Sequence, residues 1–226
     1  INAGGNVILE SVAGEVVMNG SQVESRNGSV AISGEQGVSI NDNVSITSAG
    51  SAVISGAQGV SIENSSSITS GAGLILQSDN GSVEMANNSQ AVATGDLLVA
   101  ANGNVETVAS KRESSNGSLS AVAVYGDVNI SELAAADMVA AGSGAGNVII
   151  GSVEGKNVVL YTEGQGQQIT ASSIKVEQAL VLQGDNIDAT NVDRSKNNGQ
   201  LLVDITGSAG GAMKGELNLA VDGDVR

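Results

Sequence analysis

The amino-acid sequence predicts an all-β fold, a parallel β-helix solenoid, and three observations carry that prediction. A unit of about 22 residues repeats, each unit holds three short apolar runs, and the composition favours a narrow stacked interior. The repeat is plainest where Gly37-Val38-Ser39-Ile40 and Ser45-Ile46-Thr47-Ser48 return as Gly59-Val60-Ser61-Ile62 and Ser67-Ile68-Thr69-Ser70. The same step from Gly37 and Gly59 leads to Gly81 and Gly103, so one structural unit is expected to stack on the next.

Within a unit the runs recur at about 7 to 9 residues, as in Val30-Ala31-Ile32, Val38-Ser39-Ile40 and Val44-Ser45-Ile46. Each is long enough to alternate once or twice between inside and outside, which is a short strand. Between the runs lie Asn19-Gly20, Asn27-Gly28, Asn80-Gly81, Asn102-Gly103, Asn116-Gly117 and Asn198-Gly199. Asn and Gly reach positive φ at little cost, so these pairs are expected at corners. Hairpins compete, because Asn-Gly is also the favoured two-residue hairpin turn. The repeat nevertheless sets Val38 on Val60, Ile40 on Ile62 and Ile46 on Ile68 in the same direction, which a meander would reverse.

Composition agrees. The chain has 31 Gly and no Pro, Cys, Trp, Phe or His, and hydrophobic residues make up 41%, regularly spaced as disorder would not require. Stacked aliphatic columns leave little room for rings, and proline would delete a ladder hydrogen bond in a strand paired on both sides. At 226 residues the expectation is a single repeat domain over 1–226 of about ten coils. At ~4.8 Å per coil that is a rod roughly 50 Å long.

Regularity is greatest over 1–107. Two loop excursions are expected, at 109–117 and 191–198, each gathering basic residues in a chain with only 9 Lys plus Arg. Lys111, Arg112, Arg194 and Lys196 are therefore candidates for lateral contact with a neighbour's acidic face. Residues 133–141 have helical propensity, but the glycines of 142–146 and the run Val148-Ile149-Ile150 favour an alanine-filled coil and a wide turn.

Chemistry-bearing motifs are sparse. Without His or Cys there is no basis for a Ser-His-Asp triad, a cysteine nucleophile or the usual zinc set, and no enzyme activity is expected. Gly151–Asn157 is one residue short of a phosphate loop and ends in Asn, and the Gly-x-Gly pairs at 142–144 and 164–166 read as corners. Carboxylates could serve polysaccharide binding or cleavage on a β-helix, but such sites need long loops and aromatic or basic grips. No cofactor is expected. A net charge of −15 invites diffuse, non-specific calcium screening, with Asn41-Asp42-Asn43 and Asp222-Gly223-Asp224 as weak candidates better read as turns. The same charge disfavours nucleic acid and anionic membranes, and no apolar stretch suits a membrane span. Asn-x-Ser triplets at Asn19, Asn27, Asn43, Asn64, Asn80, Asn87, Asn116 and Asn129 could accept glycans, although corner chemistry accounts for most of them.

The first and last runs, Gly5–Leu9 and Leu217–Val221, already read as strands, so a window on a longer protein is expected. Bare strand edges template pairing, which makes Val7, Ile8 and Leu9 at one end and Leu217, Leu219 and Val221 at the other candidates for assembly.

Gly5-Asn6-Val7-Ile8-Leu9, Gly28-Ser29-Val30-Ala31-Ile32 and Gly126-Asp127-Val128-Asn129-Ile130, with Asn-Gly corners and no cysteine, resemble the repeat regions of filamentous-haemagglutinin-like bacterial exoproteins, the two-partner-secreted adhesins. The resemblance implies a right-handed β-helical shaft, secreted to the bacterial cell surface, with host or neighbouring cells as partners. A self-assembling extracellular filament, its subunits stacked end to end, is the competing expectation.

Overall fold

The computed structural model describes residues 1–193, and beyond them the backbone strands Leu201–Ile205 and Leu217–Asp222. The chain winds as a parallel β-solenoid of about nine turns, each of about 22 residues. After the short β1 (Asn2–Ala3), the first coil sets out three faces: β2 (Val7–Ser11) on face 1, β3 (Glu15–Asn19) on face 2 and β4 (Gln22–Ser25) on face 3. Each strand up to Asn186–Asp193 pairs in parallel with its counterpart one coil on, as Val7 does with Val30, Val16 with Val38 and Val23 with Ile46.

The interior follows from period-two alternation. On face 1, Ile32, Ile54, Leu76 and Val99 stack in one inward column; on face 2, Ile40, Ile62 and Met85 do so; on face 3, Ile46, Ile68 and Ala91. Nearly all are 0–2% exposed, and each fully buried aliphatic contributes roughly 1.5–3 kcal/mol. A register slip of one residue would turn a whole column outward, so the columns fix the winding.

Strict stepping by 22 fails at one expected position. Gly59 pairs with Ser82, not Gly81, because Val60 must meet Val83 to keep the column filled. The extra residue is absorbed in the corner at 79–81, where Gly81 approaches the coil below so closely that a Cβ would lie 1.7 Å from the Gln58 carbonyl oxygen. Positive φ is also placed differently from the Asn-Gly expectation. Of the expected pairs within the described residues only Asn19-Gly20 carries it, at Gly20, whereas the corner between faces 2 and 3 holds it in Asp42 and Asn43, Asn64 and Ser65, and Asn87 and Asn88.

That corner shortens along the rod. The two left-handed residues at 42–43, 64–65 and 87–88 become one, Ala109, then none at Ser131, where Val128–Ala135 runs through as a continuous strand, and a single one returns at Asn191. The excursion expected at 109–117 is therefore not a loop. Val105–Ser114 is one strand, with Lys111–Ser114 paired to Gln90–Ala93 on one side and Glu132–Ala135 on the other, and only 115–117 turn the corner. At 191–198, Asn191–Asp193 close the strand Asn186–Asp193; the remainder lies outside the described residues.

Residues 133–141 are strand and turn, with Ala135 and Ala141 buried, as an alanine-filled coil requires. Gly142, expected at a corner, instead sits inside the strand Met138–Ser143 beneath the ring of Tyr161, whose Cε1 would be 2.1 Å from an added Cβ. The phosphate-loop-like stretch 151–157 lies within the strand Val148–Thr162.

Candidate functional surfaces

Corner ladders are the most regular polar feature. In Gly103-Asn104-Val105 the Asn104 Oδ1 accepts the Asp127 N–H at 3.0 Å, Asp127 Oδ1 accepts Asn147 N–H at 2.6 Å, and Asn147 Oδ1 accepts Gln168 N–H at 2.9 Å. The corner between faces 3 and 1 works alike, with Asn6 Oδ1 accepting Ser29 N–H, Ser29 Oγ accepting Ser51 N–H and Asp96 Oδ1 accepting Ser118 N–H. At several of these corners the glycine before the polar residue lies directly over the acceptor below: a Cβ on Gly28 would fall 2.4 Å from Asn6 Oδ1, and one on Gly126 2.2 Å from Asn104 Oδ1. The Gly-Asn/Asp/Ser-Val motif is thus glycine for close approach, a polar acceptor for the next coil's N–H, and an aliphatic for the core.

Buried serines add a second ladder. Ser25, Ser48, Ser70 and Ser114 donate to the carbonyls of Gly5, Gly28, Gly50 and Gly95. Between faces 2 and 3, Asn64 Nδ2 donates to Asp42 Oδ1 and Asn87 Nδ2 to Asn64 Oδ1, so Asp42 is a ladder member. Among the described residues no group of three His, Cys, Asp or Glu is placed to hold a metal, and no helix is long and apolar enough to cross a membrane.

The candidate edge residues divide by direction. Val7 points into the core, Ile8 is 71% exposed and Leu9 is half-buried, on a strand paired only with Val30–Gly34. Ile1, Ile8, Val16, Val17 and Met18 surround a concavity of about 850 Å³ at this end. Leu217, Leu219 and Val221 pair with Ile187, Ala189 and Val192 through their backbone; their side chains lie outside the described residues.

Of the candidate lateral cations, Lys111 and Arg112 point to opposite sides of their strand. Lys111 faces outward, 2.8 Å from Glu113 and 4.0 Å from Glu132, and its hydrogen bond to Glu113 raises its pKa against the opposing effect of partial burial. Arg112 alternates inward and is fully buried, so it cannot make the lateral contact expected of it. It replaces an aliphatic in the column Ile46, Ile68, Ala91, Arg112, Leu133, using the room that the small Ala91 leaves. Its Nε approaches Met85 Sδ at 3.3 Å and its Nη2 donates to the Glu106 carbonyl at 3.2 Å, while Nη1 and the buried Thr107 Oγ1 have no partner. Desolvation lowers its pKa to about 9. Arg194 and Lys196 lie outside the described residues.

One surface was not singled out from the sequence, where each run was expected to alternate between inside and outside but its outward members were not compared from coil to coil. On face 1 the outward positions form a second apolar column: Ile8, Ala31, Val53, Ile75 and Leu98, then Ser120, Ala140, Val159 and Val181. The signal was present in runs such as Leu74-Ile75-Leu76 and Leu97-Leu98-Val99, where alternation must turn the middle residue outward. Comparison with protein families, curated proteins and solved structures gives no match.

Proposed function

We propose that the chain is a structural rod, the shaft of a filamentous adhesin in a secreted bacterial surface protein, which spaces a binding tip from its anchor. The observation that carries this reading is the unbroken parallel ladder, in which each strand from Val30–Gly34 to Gln168–Gly184 is held on both sides and the core runs along the axis. Such a ladder resists bending and extends coil by coil, which is what a spacer needs. The placement at the bacterial surface rests on the sequence resemblance, with cell surfaces as the partners of the tip. The reading gives the rod no catalytic role and no cofactor, and its acidity keeps nucleic acid away.

A second reading, a filament subunit stacking end to end, is favoured by the outer edges of β2 and β3, which have no partner strand among the described residues, around a mouth lined by Ile8 and Val17 together with Glu10 and Glu15. Negative-stain electron microscopy of the purified chain, with and without millimolar calcium, separates the two. Isolated rods of about 45 Å, from nine coils at ~4.8 Å, support the shaft. Uniform fibres of constant diameter would replace it with the filament, and globular particles would overturn both.

A further inference from the structure

We propose that face 1 is a self-docking surface through which two copies of this chain pair side by side. The outward column already described puts an aliphatic at Val53, Ile75, Leu98 and Val159, and the neighbouring outward column adds Val122 and the Tyr161 ring lying over Gly142. Strand propensity alone does not require this. Face 3 meets the same demand for β-branched residues with Thr47 and Thr69, which face outward in equivalent positions and are polar.

Charge names the occupant. The chain carries −15, so two copies repel through most orientations. Among the described residues the outward columns of face 1 hold one charged side chain, Glu10, near the end of the rod. Face 3 by contrast carries Glu24, Lys111, Glu113, Glu132, Glu154 and Lys175. Face 1 is therefore where a second copy can approach with least repulsion, and a stripe with one side chain per coil matches its own spacing.

Area permits it. Nine coils at ~4.8 Å and five-residue strands at ~3.3 Å per residue give about 700 Å² per copy, or about 1,400 Å² in total, within the range of specific interfaces. An antiparallel two-fold arrangement puts Leu98, in the middle of the stripe and 36% exposed, at the dyad.

The test is sedimentation velocity on the intact chain over a dilution series, with the double variant Ile75→Glu/Leu98→Glu and the face 3 control Thr69→Glu. All three substitutions are on outward side chains, so circular dichroism and thermal unfolding should stay as in the wild type. The wild type and Thr69→Glu should form dimers with a lower frictional ratio than the monomer, and the double variant should weaken association by ~100-fold, the scale of like charges facing across an interface. The proposal fails if the wild type is monomeric throughout, if the double variant associates as the wild type does, or if association raises the frictional ratio, which would mean end-to-end contact. A monomeric outcome leaves the rod reading intact.

Discussion

Replacing Arg112 by Met should stabilise the rod. A guanidinium inside an aliphatic column pays desolvation with no carboxylate partner, and the fall of its pKa from the ordinary arginine value to about 9 corresponds to a penalty of at most about 5 kcal/mol. Against this stand its contacts with Met85 Sδ and the Glu106 carbonyl, together about 2 kcal/mol. An unbranched Met fills similar space above Ala91, so the expected gain is about 3 kcal/mol at pH 7. The pH dependence gives a second reading. A cation whose folded pKa is depressed is charged in both states below pH ~9, where the penalty is constant. Above about 9, and below the ordinary arginine value, the unfolded chain binds the additional proton, so wild-type stability rises with pH. Urea unfolding at pH 7 and pH 10 should show the gap between variant and wild type narrowing by about 1 kcal/mol. A variant less stable than the wild type by more than about 1 kcal/mol would refute the reasoning, because the guanidinium would then be solvated inside the rod.

Two further substitutions probe the corners. Gly81→Ala drives a Cβ into the Gln58 carbonyl and should lower local stability by about 2–4 kcal/mol, whereas Gly4→Ala, with nothing within 4 Å, should be silent; hydrogen exchange of the 79–83 and 56–60 amides reads the difference. Asp127→Ala strips the acceptor from the Asn147 N–H and should reduce stability by about 1–3 kcal/mol, while Asp127→Asn keeps an oxygen in place and should restore most of it in thermal unfolding. Equal losses in the alanine and asparagine variants would mean that the ladder acts through charge instead.

The fold was legible because its signal is the core itself. Val38 on Val60 and Ile40 on Ile62 are ladder partners, and the sequence repeats because the columns do. What was hidden follows from the same physics. The step from coil to coil is set by the inward residues, so a corner can gain or lose one without disturbing them, and Gly81 slid out of line while Val83 did not. Basic residues at 111–112 read as a solvated loop, since a charge is seldom buried unpaired. Alternation in Lys111-Arg112-Glu113 contained the answer, because Lys and Glu facing out oblige Arg to face in. Of the surface features, the strand at Val7–Leu9 was visible as an apolar run. The face 1 stripe was not, because an aliphatic flanked by two others looks like core until the pleat separates them.

Corners and faces therefore answer to different constraints, and one further experiment divides them. Breaks in ladder register within the long strands fall at Thr107/Lys111, Gly155/Asn157 and Ala189/Val192, at the ends of face 3, and the extra residue at 79–81 falls between faces 1 and 2, whereas the face 1 pairings from Val7 to Tyr161 run in step. An extra residue between faces changes only how far the chain travels before the next inward side chain. An extra residue within a face exchanges inside for outside along the rest of that strand. A glycine inserted between Asn87 and Asn88 should consequently leave the circular dichroism and lower the unfolding midpoint slightly. The same glycine inserted between Leu98 and Val99 would send Val99 outward and Ala100 inward, creating a cavity and a misaligned stripe, with a loss of about 2–5 kcal/mol. If the two insertions proved equally disruptive, the winding would be governed by the corner ladders, and the inward columns would follow from them.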